Sequence, residues 1–155
     1  MTSFNERVLQ AFQGIRLPDK LFALDTTETL EIEAALRPFD NWTDIPPELI
    51  ENFASALTLA EPGAFQFLLP AFMLYGTSFS PEEDDDAVCS GFIAATREPA
   101  FEGLWRKRLA TLTRPQRSLL LEYLTEKSNM DKFSLAAVAR SLAARLIEEL
   151  DAGDA

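Results

Sequence analysis

Carboxylates are the side chains best placed by number and spacing to do chemistry in this sequence. Five stand in a row, Glu82, Glu83, Asp84, Asp85 and Asp86, inside the stretch SPEEDDD. Clustered carboxylates can hold a divalent cation, or a pair can divide into general acid and general base. The run lacks the alternating D-x-D-x-D-G pattern of a calcium loop, so its simplest reading is a solvated acidic surface. Glu61, at the mouth of the most apolar stretch, is the one other acid that stands out, and a helix-start role accounts for it. Cys89 is the single cysteine, and the chain has no histidine. That removes Ser-His-Asp and Cys-His catalysis, histidine bases, the usual zinc sites and an intramolecular disulfide. A reactive thiol wants a basic neighbour, and the nearest cation in sequence to Cys89 is Arg97, so a half-buried structural role is expected. The six glycines form no phosphate-binding loop. We therefore expect no catalytic residues, no metal and no cofactor.

The elements that must carry these residues read as helices. Glu61 to Tyr75, EPGAFQFLLPAFMLY, has ten residues of Ala, Phe, Leu, Met or Tyr among fifteen. A helix apolar on every side belongs inside a bundle or a membrane, and spanning a bilayer takes about 20 apolar residues. The stretch predicts the buried central helix of a bundle. Pro70 should kink or break it, and Gly76 should end it. Before it, a capping box Ser3 to Glu6 opens a helix over about Phe4 to Gln13, with Val8 and Phe12 inward and Gly14 closing it. Thr27 should cap a second helix to Arg37 with Leu30, Ala34 and Leu36 inward, stopped by Pro38. Pro46 and Pro47 open a third, to about Leu57 or Leu59, with Ile45, Leu49, Ile50, Phe53, Ala54 and Leu57 as its stripe.

After the acidic run, Ala87 to Glu98 is ambiguous, with Val88, Phe92 and Ile93 at least half buried. A helix over Pro99 to Leu112 should turn Phe101, Leu104, Trp105 and Leu109 inward and leave Arg106, Lys107 and Arg108 as a solvated basic cluster. Thr113 and Gln116 form a second capping box ahead of a helix with Leu119, Leu120, Tyr123 and Leu124 inward. The last helix, from Asp131 or Ser134, carries Leu135, Val138, Leu142, Leu146 and Leu150, and its alanines at 136–144 permit close packing. No strand, repeat or heptad array is evident. The expectation is all-α: one domain over residues 1–155, a compact bundle of six to eight helices, with residues 151–155 frayed.

Charge narrows the partners. Residues 1–86 hold four Lys/Arg against sixteen Asp/Glu, a net of −12; residues 87–155 hold ten against nine, a net of +1. A negative field attracts basic partners and repels nucleic acid and anionic lipid, although solubility alone also explains it. Three clustered cations do not overcome −11 overall, so neither nucleic acid nor membrane is expected as a partner. Phe39, Trp42 and Phe79 stand beside acids, and an aromatic among acids makes a fair anchor for a basic protein, with a core-anchoring loop role as the plain alternative for Trp42. The candidate partner-binding surface is Asp40, Trp42, Asp44, Glu48 and Glu51, with Glu82, Glu83, Asp84, Asp85 and Asp86.

Three motifs carry a resemblance. Ala11-Phe12-Gln13-Gly14 precedes the Asn41-Trp42 turn. A core PxAFxFxLPAFxL follows, from Pro62 to Leu74. LTxxQRxxLLxYL covers Leu112 to Leu124. Together they resemble an uncharacterised family of small bacterial proteins, some members of which look like immunity proteins of toxin systems. The resemblance covers most of residues 8–125 and falls on core and turn positions. It implies a helical fold and a bacterial source, and it supplies no catalytic residues. With one free thiol and no signal sequence at the N-terminus, it implies a cytoplasmic protein that neutralises a cognate toxin by docking. The alternatives are a regulatory, structural or self-associating adaptor whose acidity serves solubility, and a carboxylate enzyme with a divalent metal at Glu82 to Asp86.

Overall fold

The computed structural model describes residues 2–79, Val88, 99–130 and 135–153. The acidic run Glu82 to Asp86, Cys89, Phe92, Ile93 and Arg97 lie outside the described residues. Within them the chain is all-α, with eight α-helices, one 3-10 turn and a single isolated bridge between Phe22 and Ala60. The helices are α1 (Phe4–Ala11), α2 (Thr27–Leu36), α3 (Pro47–Asn52), α4 (Ala56–Leu59), α5 (Pro62–Phe79), α6 (Pro99–Thr111), α7 (Arg114–Met130) and α8 (Leu135–Gly153). The 3-10 turn is Trp42–Asp44.

The fold is built around α5. Ala64, Phe65, Phe67, Leu68, Leu69, Ala71, Phe72 and Met73 are all buried, which covers every side of the helix. It packs against α1, the 3-10 turn, α3, α4 and α6. Pro70 lies inside α5 without breaking it. Its ring removes one amide donor, a cost the surrounding packing must offset.

Gly76 does not end α5, contrary to expectation. It remains helical because it serves close packing: a Cβ there would stand 1.9 Å from the Tyr123 hydroxyl oxygen and 2.9 Å from its Cζ. α7 therefore lies too near α5 at this point for any side chain. Gly14, by contrast, does close the first helix region, with φ of +80°.

Three other expectations need correction. Thr26, not Thr27, caps α2, in a reciprocal box with Thr29. The inward residues are then Thr29, Ile32 and Leu36, while Leu30 and Ala34 face outward. Thr29 tolerates burial because its hydroxyl donates to the Leu24 carbonyl at 2.8 Å and accepts from the Thr26 amide at 2.8 Å. The helix expected from Pro46 to Leu59 is two helices, α3 and α4, separated at Phe53 with φ −122° and ψ 48°. Ser55, just ahead of α4, donates to Glu28 of α2 at 2.6 Å, which favours a fresh start over continuation. Ala54 is exposed, whereas Ile45, Ile50 and Leu57 are buried as expected.

Of the expected Ser3–Glu6 box one arm is present, and the Thr113–Gln116 box has both. Ser3 Oγ accepts from the Glu6 amide at 3.2 Å. The Thr113 amide donates to Gln116 Oε1 at 2.9 Å, and the Gln116 amide donates to Thr113 Oγ1 at 3.3 Å, a complete box. Gln116 does more than cap. Buried, it donates to the Ala11 carbonyl at 2.8 Å and accepts from Gln66 at 3.0 Å, tying the start of α7 to α1 and α5.

α7 and α8 run antiparallel, since Arg140 donates to Thr125 at 2.9 Å while Arg117 meets Asp151 at 3.3 Å. Ala136, Ala139 and Ala143 are buried between them with Leu142, Leu146 and Ile147. Val138 is exposed, so the inward stripe of α8 is rotated from the expected one toward these small residues, which allow the closest approach.

Candidate acidic docking face

The segment from Pro38 to Asn52 carries four of the candidate acids on a rigid mount. Its anchor is Trp42, which is 4% exposed. The indole N–H donates to the Phe12 carbonyl at 3.0 Å, at the end of α1. Of the two roles open to Trp42, the core-anchoring one holds: a large apolar ring is worth more inside, provided its N–H finds an acceptor. Phe39 is likewise half-buried against the core. Fixing Trp42 fixes the turn around it. The Asp44 amide donates to the Asn41 carbonyl at 3.1 Å, and the Ile45 amide donates to the Trp42 carbonyl at 3.2 Å. Pro46 is extended, and Pro47 occupies the first position of α3, where its missing amide costs little.

With Trp42, Ile45 and Ile50 turned in, Asp40, Asp44, Glu48 and Glu51 are turned out and exposed. None of them has an ion pair among the described residues. Behind the turn, Leu9, Trp42, Thr43, Ile45, Pro47, Ile50, Ala71, Leu74 and Tyr75 enclose a cleft of about 230 Å³. A second concavity of about 630 Å³ lies beside Asp40 and Asn41, walled by Arg16, Leu17, Arg37 and Phe39. Arg37 there is already engaged, donating to the Pro18 carbonyl at 2.8 Å and to Glu33 at 2.7 Å.

Four arginines of the C-terminal half, Arg106, Arg114, Arg117 and Arg145, are paired internally. Arg106 and Arg145 share Glu102 and Glu149 in a four-residue network between α6 and α8. Arg114 and Arg117 both approach Asp151, at 3.7 and 3.3 Å. On the opposite flank Arg7 makes a two-pronged pair with Glu122, both contacts at 2.6 Å. These partners hold the Glu122 and Glu102 carboxyls below the usual carboxylate range, through hydrogen bonds from Arg7 and Arg145 respectively. The stability they add is therefore present above that range and is lost as pH falls through the lowered values.

Arg108 departs most from expectation. The Arg106-Lys107-Arg108 cluster was expected to be solvated, yet Arg108 is 0% exposed. Its Nε and Nη2 donate to the Ala60 carbonyl at 3.0 and 2.7 Å, and Nη2 also donates to the Thr58 carbonyl. The guanidinium lies over Trp105 at 4.8 Å and Phe65 at 5.7 Å from the ring centres. Burial pulls its pKa down to about 10, partly countered by Glu61, so it remains charged at neutral pH. The signal was present: Trp105, Arg108, Leu109 and Leu112 fall at helical spacings of three and four, which places Arg108 on the inner face. Its role is to satisfy the carbonyls at the end of α4 and to fix the entry to α5. It is not an interaction site.

No group of His, Cys, Asp or Glu side chains that could hold a metal occurs among the described residues. No described helix is long and apolar enough to cross a membrane. The expectations for Glu82, Glu83, Asp84, Asp85 and Asp86 fall outside the described residues. A model of a family of unknown function, DUF6714, matches residues 4–144. No curated protein and no solved structure matches the chain.

Proposed function

Because the chain belongs to DUF6714, a family of unknown function, we propose its role from the physics of its surface: a non-catalytic protein that binds a basic protein partner through the face bearing Asp40, Asp44, Glu48 and Glu51. The observation that carries this reading is the uneven use of charge. Arg106, Arg114, Arg117 and Arg145 are spent on internal pairs, whereas these four exposed acids have no counter-ion among the described residues. Unpaired acids on a rigid mount leave a field free to act on a partner.

The specific form we propose is an immunity or antitoxin-like protein of a bacterial cytoplasm. It would neutralise a cognate toxin by covering that toxin's basic substrate-binding surface. The motif resemblance, the lack of histidine and the acidic face support this form. In this mechanism the acids act first on encounter, raising the association rate, and matter less once the complex is packed.

The experiment is kinetic. Reversing Asp40, Asp44, Glu48 and Glu51 to lysine should slow association with the partner about 10-fold or more at low ionic strength. The difference should shrink at about 1 M salt, where the Debye length is roughly 3 Å. An association rate unchanged by the reversal at low salt would remove the steering claim.

A further inference from the structure

The acidic face stands over an apolar cleft, and the two together describe the group that would dock there. We infer that the cleft bounded by the 3-10 turn, α3 and α5 seats one bulky apolar side chain, carried by a basic segment of the partner. This inference rests on the docking function proposed above and names the chemistry of its partner.

Size selects the occupant. The cleft holds about 230 Å³. Pockets for whole ligands and cofactors run to roughly 300–1,000 Å³, while a cavity of about 150 Å³ already accepts a benzene ring. One phenylalanine, leucine or isoleucine side chain is the fitting load. The walls agree. Trp42, Ile45, Ile50 and Ala71 are buried and supply a fixed floor, and Leu9 stands at the mouth 45% exposed. A leucine left this open gains from being covered.

Charge selects what surrounds the anchor. The concavity beside Asp40 includes Arg16 and Arg37, and the one on the α1–α7 flank includes Arg7 and Glu122. The cleft has no charged residue in its lining. The turn and α3, which form one side of it, also carry Asp44, Glu48 and Glu51, all exposed and without ion pairs among the described residues. An apolar residue entering the cleft therefore brings its neighbours against carboxylates, and lysine or arginine fits there best.

The test uses the full-length chain and three synthetic 16-residue helical peptides. One carries a single phenylalanine flanked by lysines on the same face. The second replaces phenylalanine with alanine, and the third replaces the lysines with glutamates. Binding is read by NMR on the methyls of Leu9, Ile45 and Ile50 and on the Trp42 indole N–H. The inference expects the phenylalanine–lysine peptide to shift these signals. Its affinity should fall about 10-fold or more with the alanine peptide, and comparably with the Leu9→Lys variant, whose site is open enough to spare the fold. Equal affinity of the phenylalanine and alanine peptides, with none for the glutamate peptide, would overturn the anchor and leave the acidic face standing. Equal affinity of the lysine and glutamate peptides would overturn the proposed function itself. No shift at millimolar peptide would dismiss the cleft as a seat. Concentration-dependent broadening of the same methyls without peptide would assign the cleft to a second copy of the chain instead.

Discussion

Replacing Arg108 with alanine is expected to cost about 3–5 kcal/mol of stability, a large share of what a domain this size holds. The loss has two parts. The carbonyls of Thr58 and Ala60 lose the donors that satisfy them, and each unsatisfied buried group costs about 1–3 kcal/mol. Removing the side chain also leaves a cavity against Trp105 and Phe65. Arg108→Met separates the parts, because it refills the space without supplying a donor. Its expected cost is about 2–4 kcal/mol. Arg108→Lys should fall between methionine and wild type, since one ammonium cannot reproduce the planar fork. Denaturant titration at pH 6, 7.5 and 9 checks all three. The methionine penalty should be flat over that range, because the guanidinium is charged in both folded and unfolded chains below about pH 10. An Arg108→Met variant within about 0.5 kcal/mol of wild type would mean the carbonyls are satisfied without it.

Gly76→Ala should destabilise by about 1–3 kcal/mol, although alanine is the better helix former by about 1 kcal/mol. The sign is the test. An open helical site would be stabilised by the substitution. Here the new methyl would overlap the Tyr123 hydroxyl, whose ring is buried and stacks near Phe4 at 6.4 Å. Tyr123→Phe removes the nearest atom but leaves Cζ at 2.9 Å, so it should rescue only part of the loss. Thermal or denaturant unfolding of the two single variants and the double variant measures the coupling. A stabilised Gly76→Ala chain would show that α5 and α7 are not held in this close approach.

These two residues also mark where the sequence stops being readable. The central helix was legible from Glu61 to Tyr75 because apolarity on all its sides admits few other placements, while its run past Gly76 to Phe79 was not. The Thr113–Gln116 cap was legible because a capping box is local. Gly76 reads locally as a helix stop, and only the nearness of Tyr123 from another helix makes it a spacer. Arg108 reads as part of a charged triplet, and its spacing with Trp105 and Leu109 outweighs its neighbours. Leu30 and Ala34 look as apolar as Ile32 and Leu36, so the face of α2 turns on the Thr26–Thr29 cap.

The candidate face was half legible. The acids at 40, 44, 48 and 51 are exposed as their types suggest. For Trp42 the sequence leaves a partner anchor and a core-anchoring loop residue both open, and the structure shows the second; its acceptor, the Phe12 carbonyl, is 30 residues away in sequence. The apolar cleft could not be read at all, since Leu9, Ile50 and Leu74 come from three separate helices.

Binding of a basic protein by the acidic face is the step on which the proposed function depends. Its most direct test is co-purification of the tagged chain from its native host at moderate salt, beside a variant with Asp40, Asp44, Glu48 and Glu51 reversed to lysine. Bound proteins are identified by mass spectrometry. One stoichiometric basic partner is expected with the wild-type chain, absent from the variant and toxic when expressed alone. A partner retained equally by both chains, or a wild-type chain that emerges alone as a clean monomer or homodimer, would contradict it.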